Sequence, residues 1–302
     1  MDSGARKLGD KMRIFVTGGS GLLGSKIVKY AKEKHDVVST YQSHSINGQG
    51  FKTERLDIKD SHQVTELIEK YRPDVVVHSA ALTNVDYCEK NREEAWLTNA
   101  NGTEKVINAC KKTGCKTVYI STAGIFDGKH APYSETDPPN PLNYYAQTKL
   151  QGERYTLTLK DHIIVRTTVP YGWHPWKLNF VTWVIDNLER KNRIKIVTDQ
   201  RNTPTYADDF ANVLLRLIEL DETGIFNVVG STTISRLDFA VKIAEIFDLD
   251  KSFTTPVTTE ELAQVALRPS DDSLKIDKIL KLGIKTSTVD EGLQKMKSER
   301  FR

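Results

Sequence analysis

Residues 16 to 24 read VTGGSGLLG, and no other stretch constrains the fold of this chain as strongly. The run follows the β-branched segment RIFVTG and opens an amphipathic stretch at 22–34, with Gly18, Gly21 and Gly24 at three-residue spacing. Glycine permits a tight turn there, and it lets backbone N–H groups and a helix N-terminus approach a pyrophosphate closely. Alone, the pattern is common in ordinary turns. Between a strand and a helix near the start of a chain, it reads as a dinucleotide cradle.

The chain then continues the alternation with DVVSTY, 61–71, DVVVHSAA, 89–113 and TVYIST. This order predicts repeated βαβ units, and hence a doubly wound parallel sheet of the Rossmann type with helices on both faces. The runs VVVHSA and IIVRTTV begin apolar and end polar, as buried parallel strands do when their carboxyl ends face a ligand crevice. From about residue 171 the pattern loosens into YGWHPWKLNF, a helix to 191, a short strand IKIV and the segment DQRNTPTY. Helices are expected at 207–220, 235–248, 258–267 and 289–299, with IFNVVG as a strand. Residues 12–170, with 206–229 added, are therefore expected to form the dinucleotide-binding domain. Residues 171–205 and 230–302 are expected to form a smaller, interlaced substrate lobe.

The first eleven residues, MDSGARKLGDK, are polar and lack the apolar core of a secretory signal. They are expected to be a disordered extension before a natural start at Met12, and the protein is expected to be cytoplasmic. Among 302 residues, 38% are hydrophobic and no run approaches the roughly 20 apolar residues of a spanning helix, so no membrane partner is expected. Cys88, Cys110 and Cys115 lack C-x-x-C spacing, which argues against a disulfide framework and a zinc site; no metal is expected. The net charge of +3 is small, and Lys and Arg are interspersed with Asp and Glu, so a nucleic-acid footprint is absent.

The second informative stretch is NYYAQTKLQGE, 143–153. Residues four apart share a helix face, so Tyr145 and Lys149 can enter one site while Tyr144 turns about 100° away. A phenol with a pKa of about 10 is a poor catalyst at neutral pH, and a nearby ammonium is expected to lower it. Lys149 can also hydrogen-bond a nicotinamide ribose. Ser121 and Thr122 end the preceding strand, where a hydroxyl can bind a carbonyl oxygen. The run DVVSTYQSHS ends in Tyr41, Gln42, Ser43 and His44: no carboxylate claims the ribose hydroxyls and no Arg meets a 2′-phosphate, so NADP is expected, with NAD the alternative. Asp57 can hydrogen-bond the adenine, although capping of a helix by Asp60 and Ser61 is the plainer reading of that neighbourhood.

In order and content these motifs resemble an extended short-chain dehydrogenase/reductase, and within it the dTDP-4-dehydrorhamnose reductase subfamily. The resemblance runs from Met12 through AALTNVDYCEKN, NANGT, YISTAGIFDG, PYSETDPPNPLNYYAQTKLQGE, NFV, DQRNTPTYADDFA and LRPSDDSLKIDK. It implies Thr122, Tyr145 and Lys149 as catalytic residues, with Asn99 supporting the lysine. It implies a cofactor site built from Gly18, Ser20, Gly21, Leu22, Leu23, Gly24, Tyr41, Ser43, Asp57, Ile58, Ala80, Ala81, Thr83, Asn99 and Lys149. Thr122, Tyr145, Asn179, Arg201 and Arg268 are then the substrate contacts, the two arginines facing a pyrophosphate.

The implied reaction is reduction of a 4-keto group on a nucleotide-linked deoxysugar by NAD(P)H, in a homodimer joined through 89–113 and the helix of Tyr145. Two departures bear on the sugar: Ala123 and Gly124 stand where the subfamily has Asp and Tyr, and Val169 where it has Trp. Trp173, His174 and Trp176 are candidate replacements. A nucleotide-sugar epimerase or dehydratase, and a non-catalytic regulatory subunit like that of methionine adenosyltransferase, are the alternatives.

Overall fold

The computed structural model describes residues 10–46 and 48–300; most of the expected extension over 1–11 lies outside the described residues. The first half of the chain runs β1 (Arg13–Thr17), α1 (Leu22–Ala31), β2 (Asp36–Tyr41), β3 (Lys52–Arg55), α2 (Ser61–Tyr71), β4 (Val75–His78), α3 (Val85–Lys90), α4 (Arg92–Ala95), α5 (Gly102–Thr113), β5 (Lys116–Thr122), α6 (Tyr144–Thr156) and β6 (His162–Thr167). The second runs β7 (Pro170–Tyr171), α7 (Phe180–Glu189), β8 (Ile194–Val197), β9 (Arg201–Asn202), β10 (Thr205–Tyr206), α8 (Ala207–Glu219), β11 (Gly224–Asn227), β12 (Ile234–Ser235), α9 (Arg236–Ile246), β13 (Thr254–Val257), α10 (Thr259–Leu262), α11 (Asp277–Lys281) and α12 (Val289–Glu299).

Seven strands pair in parallel in the order β3-β2-β1-β4-β5-β6-β11. Strand order reverses between β1 and β4, which opens a crevice at their carboxyl ends. The doubly wound sheet expected from the alternation is thereby borne out. Val75, Val76 and Val77 are fully buried because helices cover both faces. On one face α1 and α8 pack Ile27, Val28, Phe210 and Leu214 against β1 and β4. On the other, α2 and α5 bring Ile68, Val106 and Cys110 to Phe15 and Val76. A separate apolar cluster, centred on Val184, Phe239, Ile243 and Leu293, joins α7, α9 and α12.

Two expected helices are corrected. The stretch 89–113 breaks at Asn91, whose φ of −122° is not helical and whose side chain donates to the Tyr87 carbonyl. It then passes through a π-helical turn, Trp96–Asn101, before α5. The stretch 258–267 is helical only over Thr259–Leu262, opened by a Thr258/Glu261 capping box and stopped by Ala263 in the left-handed region at φ 49°. A single turn followed by extended chain toward Pro269 cannot sustain helical periodicity.

One buried ion pair ties the catalytic edge together. The Arg166 guanidinium, at the end of β6, donates from Nε and Nη2 to both carboxylate oxygens of Glu153 on α6, at 3.0 and 2.8 Å, and from Nη1 to the Glu135 carbonyl at 3.2 Å. Both residues are buried, so removing one partner strands a charge without solvent. Glu153→Gln is expected to destabilise the protein by roughly 3 kcal/mol; equilibrium denaturation in urea checks it, and a loss below about 1 kcal/mol contradicts the role.

Candidate active site

The glycine loop is shaped by what lies behind it. At Gly18, φ is +64° and a Cβ would stand 2.7 Å from the Ala80 Cα; at Gly24, a Cβ would stand 2.3 Å from the Gly18 oxygen. Gly21 is the N-cap of α1 with no side chain capping it, so the first-turn N–H groups of Leu22 and Leu23 point outward for an anion. Gly19 escaped notice in the sequence, yet its N–H donates to the Thr40 carbonyl at 2.7 Å and a Cβ there would meet the Ser39 hydroxyl at 2.1 Å. Its only signal was standing directly behind Gly18. A cradle that a single methyl group would fill suits the close approach of a dinucleotide's phosphates.

Around this cradle the expected cofactor residues have unequal standing. Ala80 and Ala81 are half-buried and Thr83 exposed in the loop after β4, and Tyr41 ends β2 with Ser43 just beyond it. Asp57 accepts from the Lys59 N–H at 2.9 Å, and Asp60 caps α2 through the His62 and Gln63 N–H groups. The Ile58 side chain is turned into the core against Gly102, so only its backbone can face a cofactor. The Asn99 amide accepts from the Leu82 N–H at 2.8 Å and donates to the Leu82 carbonyl and the Thr148 hydroxyl, which holds the loop after β4 against α6 beside Lys149.

Helix α6 begins at Asn143, whose Oδ1 accepts from the Ala146 N–H at 2.9 Å while its Nδ2 donates to the Leu267 carbonyl at 2.9 Å. This start brings Tyr145 close enough to Thr122, at the end of β5, for the threonine side chain to act on the phenol, while the Thr122 hydroxyl accepts from the Gly124 N–H at 3.1 Å. Tyr144 leaves the site: its ring lies beside Trp96 and beneath the Arg92 guanidinium. Lys149 is buried, with its ammonium 4.2 Å over the Tyr119 ring. Beneath it, His78 bridges the hydroxyls of Thr17 at 2.7 Å and Thr103 at 3.0 Å, and burial drives its imidazole down to about 3.

The electrostatics differ from the expected tuning. Burial raises the Tyr145 phenol well above its ordinary range, against a smaller opposite pull from the Thr122 side chain. Loss of water also draws the Lys149 ammonium down to about 7, partly countered by Glu153. Desolvation therefore outweighs the attraction expected between phenolate and ammonium. At neutral pH Tyr145 keeps its proton, the state a proton donor requires.

The second lobe supplies cations. Arg201 pairs with Asp271 at 3.6 Å, and Arg268 donates to Asp86 at 3.0 Å and to the Ala266 carbonyl at 2.6 Å. The Asn179 Oδ1 caps α7 through the Thr182 N–H and its Nδ2 donates to the Gly172 carbonyl at 2.7 Å. Arg236 was missed, since it reads as an ordinary first-turn residue of α9. Its guanidinium lies 4.8 Å over the Phe180 ring and is attracted by the buried Asp272. Among the described residues no helix is long and apolar enough to cross a membrane, and no group of three His, Cys, Asp or Glu could hold a metal ion.

A doubly wound sheet, a glycine cradle at its switch point and a Thr, Tyr and Lys gathered beside it define an extended short-chain dehydrogenase/reductase, and the resemblance read from the motifs is borne out. The chain belongs to the family described as RmlD substrate binding domain, whose model matches residues 12–301. The spore coat polysaccharide biosynthesis protein SpsK of Bacillus subtilis is 33% identical over 95% of this chain and 98% of its own. Methionine adenosyltransferase 2 subunit beta of Xenopus tropicalis is 31% identical over 90% of this chain and 83% of its own. The solved dTDP-4-dehydrorhamnose reductase of Bacillus anthracis, in complex with NADP, matches with a TM-score of 0.85 at 30% identity, covering 96% of this chain and 100% of that one.

The depressed Lys149 pKa makes a stability prediction. The folded-state value of about 7 lies below that of an unfolded lysine, so the ammonium costs stability in full below pH 7 and the cost fades as pH rises toward 10. Lys149→Met is expected to raise the melting temperature of the cofactor-free protein by a few degrees at pH 6, with the gain shrinking above pH 7. Thermal unfolding across that range checks the sign; a gain that grows with pH contradicts it.

Proposed function

We propose that the protein is a cytoplasmic, NADPH-dependent reductase of a 4-keto group on a nucleotide-linked deoxysugar, like the dTDP-4-dehydrorhamnose reductases it is similar to. The observation that carries the reading is the placing of Tyr145 and Lys149 one helical turn apart on α6, with Thr122 acting on Tyr145 from the end of β5, beside the glycine cradle. When bound, the reduced nicotinamide supplies the hydride. Tyr145, held protonated by burial, donates the proton to the carbonyl oxygen. The Thr122 hydroxyl steadies both Tyr145 and the developing alkoxide. Lys149 holds the nicotinamide ribose, a contact that returns hydrogen bonds to a buried ammonium.

On the same reading, Arg201 and Arg268 face the sugar nucleotide's pyrophosphate, each able to exchange a carboxylate for a phosphate oxygen. Ser20, Gly21, Leu22 and Leu23 hold the cofactor phosphates, and Tyr41 and Ser43 its adenosine. Residues 12–170 with 206–229 act as the dinucleotide half and 171–205 with 230–302 as the substrate half of one cleft. A homodimer through the face of 89–113 and α6 fits exposed Leu97, and sedimentation tests it.

The second reading, a regulatory subunit, rests on the 31% identity to methionine adenosyltransferase 2 subunit beta. Turnover separates the two. With dTDP-linked 4-keto sugars as substrates, Tyr145→Phe is expected to cut turnover by about two to four powers of ten while calorimetric NADPH affinity holds. Tyr144→Phe is expected to stay within about tenfold, since its ring belongs to another face. NADPH is expected to bind more tightly than NADH, because no carboxylate follows β2 to repel a 2′-phosphate. Equal activity of the two tyrosine variants, or dinucleotide binding with no turnover of any substrate offered, would favour the regulatory reading.

A further inference from the structure

Between β7 and α7 the chain makes an excursion that connects nothing a shorter turn could not connect. Its ends are tied to one another by the Asn179 amide, which donates to the Gly172 carbonyl at 2.7 Å. Trp173 roots it in the second lobe, its indole N–H donating to the Met296 carbonyl at 2.7 Å and its ring meeting Phe247 edge-on. Beyond that root, the chain reaches across to the sheet. The Lys177 N–H donates to His174 Nδ1 at 3.1 Å, which leaves the proton on Nε2, and Nε2 donates to the Ser20 carbonyl in the glycine loop at 2.9 Å. Trp176 stacks on His44, just past β2, with ring centres 5.4 Å apart and planes 18° apart. The Lys177 ammonium donates to the Thr83 hydroxyl, past β4.

Ser20, His44 and Thr83 lie in the loops that follow β1, β2 and β4, which are the loops that flank the switch-point crevice. The excursion also leaves two large apolar side chains in water, Trp176 at 47% and Leu178 at 56% exposure, where a plain connection would carry polar residues. It also brings the Lys177 ammonium near the imidazoles of His44 and His174, with Lys26 of α1 near enough to act on His174. Lys177, an exposed residue, is held by a neutral hydroxyl rather than a carboxylate. An anion placed there would give the Lys177 ammonium the charged partner that the Thr83 hydroxyl does not supply.

We propose that residues 173–178 are a strap that completes the dinucleotide site from the second lobe, with Trp176 and His44 closing over the adenosine end and Lys177 binding an anionic group of the cofactor. This rests on the dinucleotide reading above and adds residues that the glycine cradle does not contain. Because the strap lies across the crevice, it governs the escape of a bound dinucleotide more than its arrival.

The test is calorimetry and stopped-flow fluorescence with NADPH on the full-length protein, with melting temperatures recorded alongside. Trp176→Ala and Lys177→Met are each expected to raise Kd about tenfold, chiefly through faster release, the scale of one lost stacking or charge contact. Lys177→Arg is expected to stay within about threefold and to distinguish charge from shape. Variants that melt like the unaltered protein and bind and release NADPH within about twofold of it overturn the strap alone. Failure of the unaltered protein to bind any dinucleotide overturns the dinucleotide reading, and the strap with it.

Discussion

The catalytic edge depends on how the end of β1 meets the end of β4. Thr17 and His78, facing each other in register, hydrogen-bond at 2.7 Å, and the Ala80 N–H reaches the same Thr17 hydroxyl at 3.3 Å. The imidazole continues to Thr103 on α5, so a short polar line crosses an apolar core and locks sheet and helix together. Such a line is worth having only if every member is satisfied, and here His78 uses both ring nitrogens. It sets the distance between the glycine loop and the loop after β4, a gap so narrow that Gly18 cannot carry a Cβ beside Ala80. Cradle, floor and lysine all take their places from that contact.

The same burial that organises the edge sets its proton chemistry. Tyr145 and Lys149 share a helix face, but the pair does not behave as phenolate and ammonium balancing one another. Each is pushed toward its neutral form because water is excluded from both. Glu153, four residues beyond Lys149, partly supports the ammonium while its carboxylate is committed to Arg166. The site therefore holds a protonated donor and a lysine near its switching point, with the final balance left to whatever fills the crevice.

Much of this was legible because it follows from backbone constraints that specific residue types announce. Glycines at 18, 21 and 24 mark close approach whatever surrounds them, and helices at 61–71 and 289–299 run as the apolar spacing indicates because caps stand at both starts. What escaped depends on partners distant in the chain. The π-helical turn before α5 exists where Asn99 reaches back to Leu82 and across to Thr148, contacts that no local pattern encodes. The NFV match marks Asn179 but does not announce that it also starts a helix and bonds a carbonyl seven residues upstream. Arg236 carries no signal of its own until Phe180 and Asp272 are seen around it.

The closure of residues 172 and 179 upon each other has an evolutionary meaning. A loop whose two ends are bonded together, with Trp173 half-buried at its root, behaves as an interchangeable cassette: its length and chemistry can change without disturbing β7, α7 or the sheet behind them. The rigid parts of the molecule then hold the reaction constant, while a handful of positions between the anchors remain open to trial. Diversification within such a scaffold would be expected to collect there, at little cost to folding.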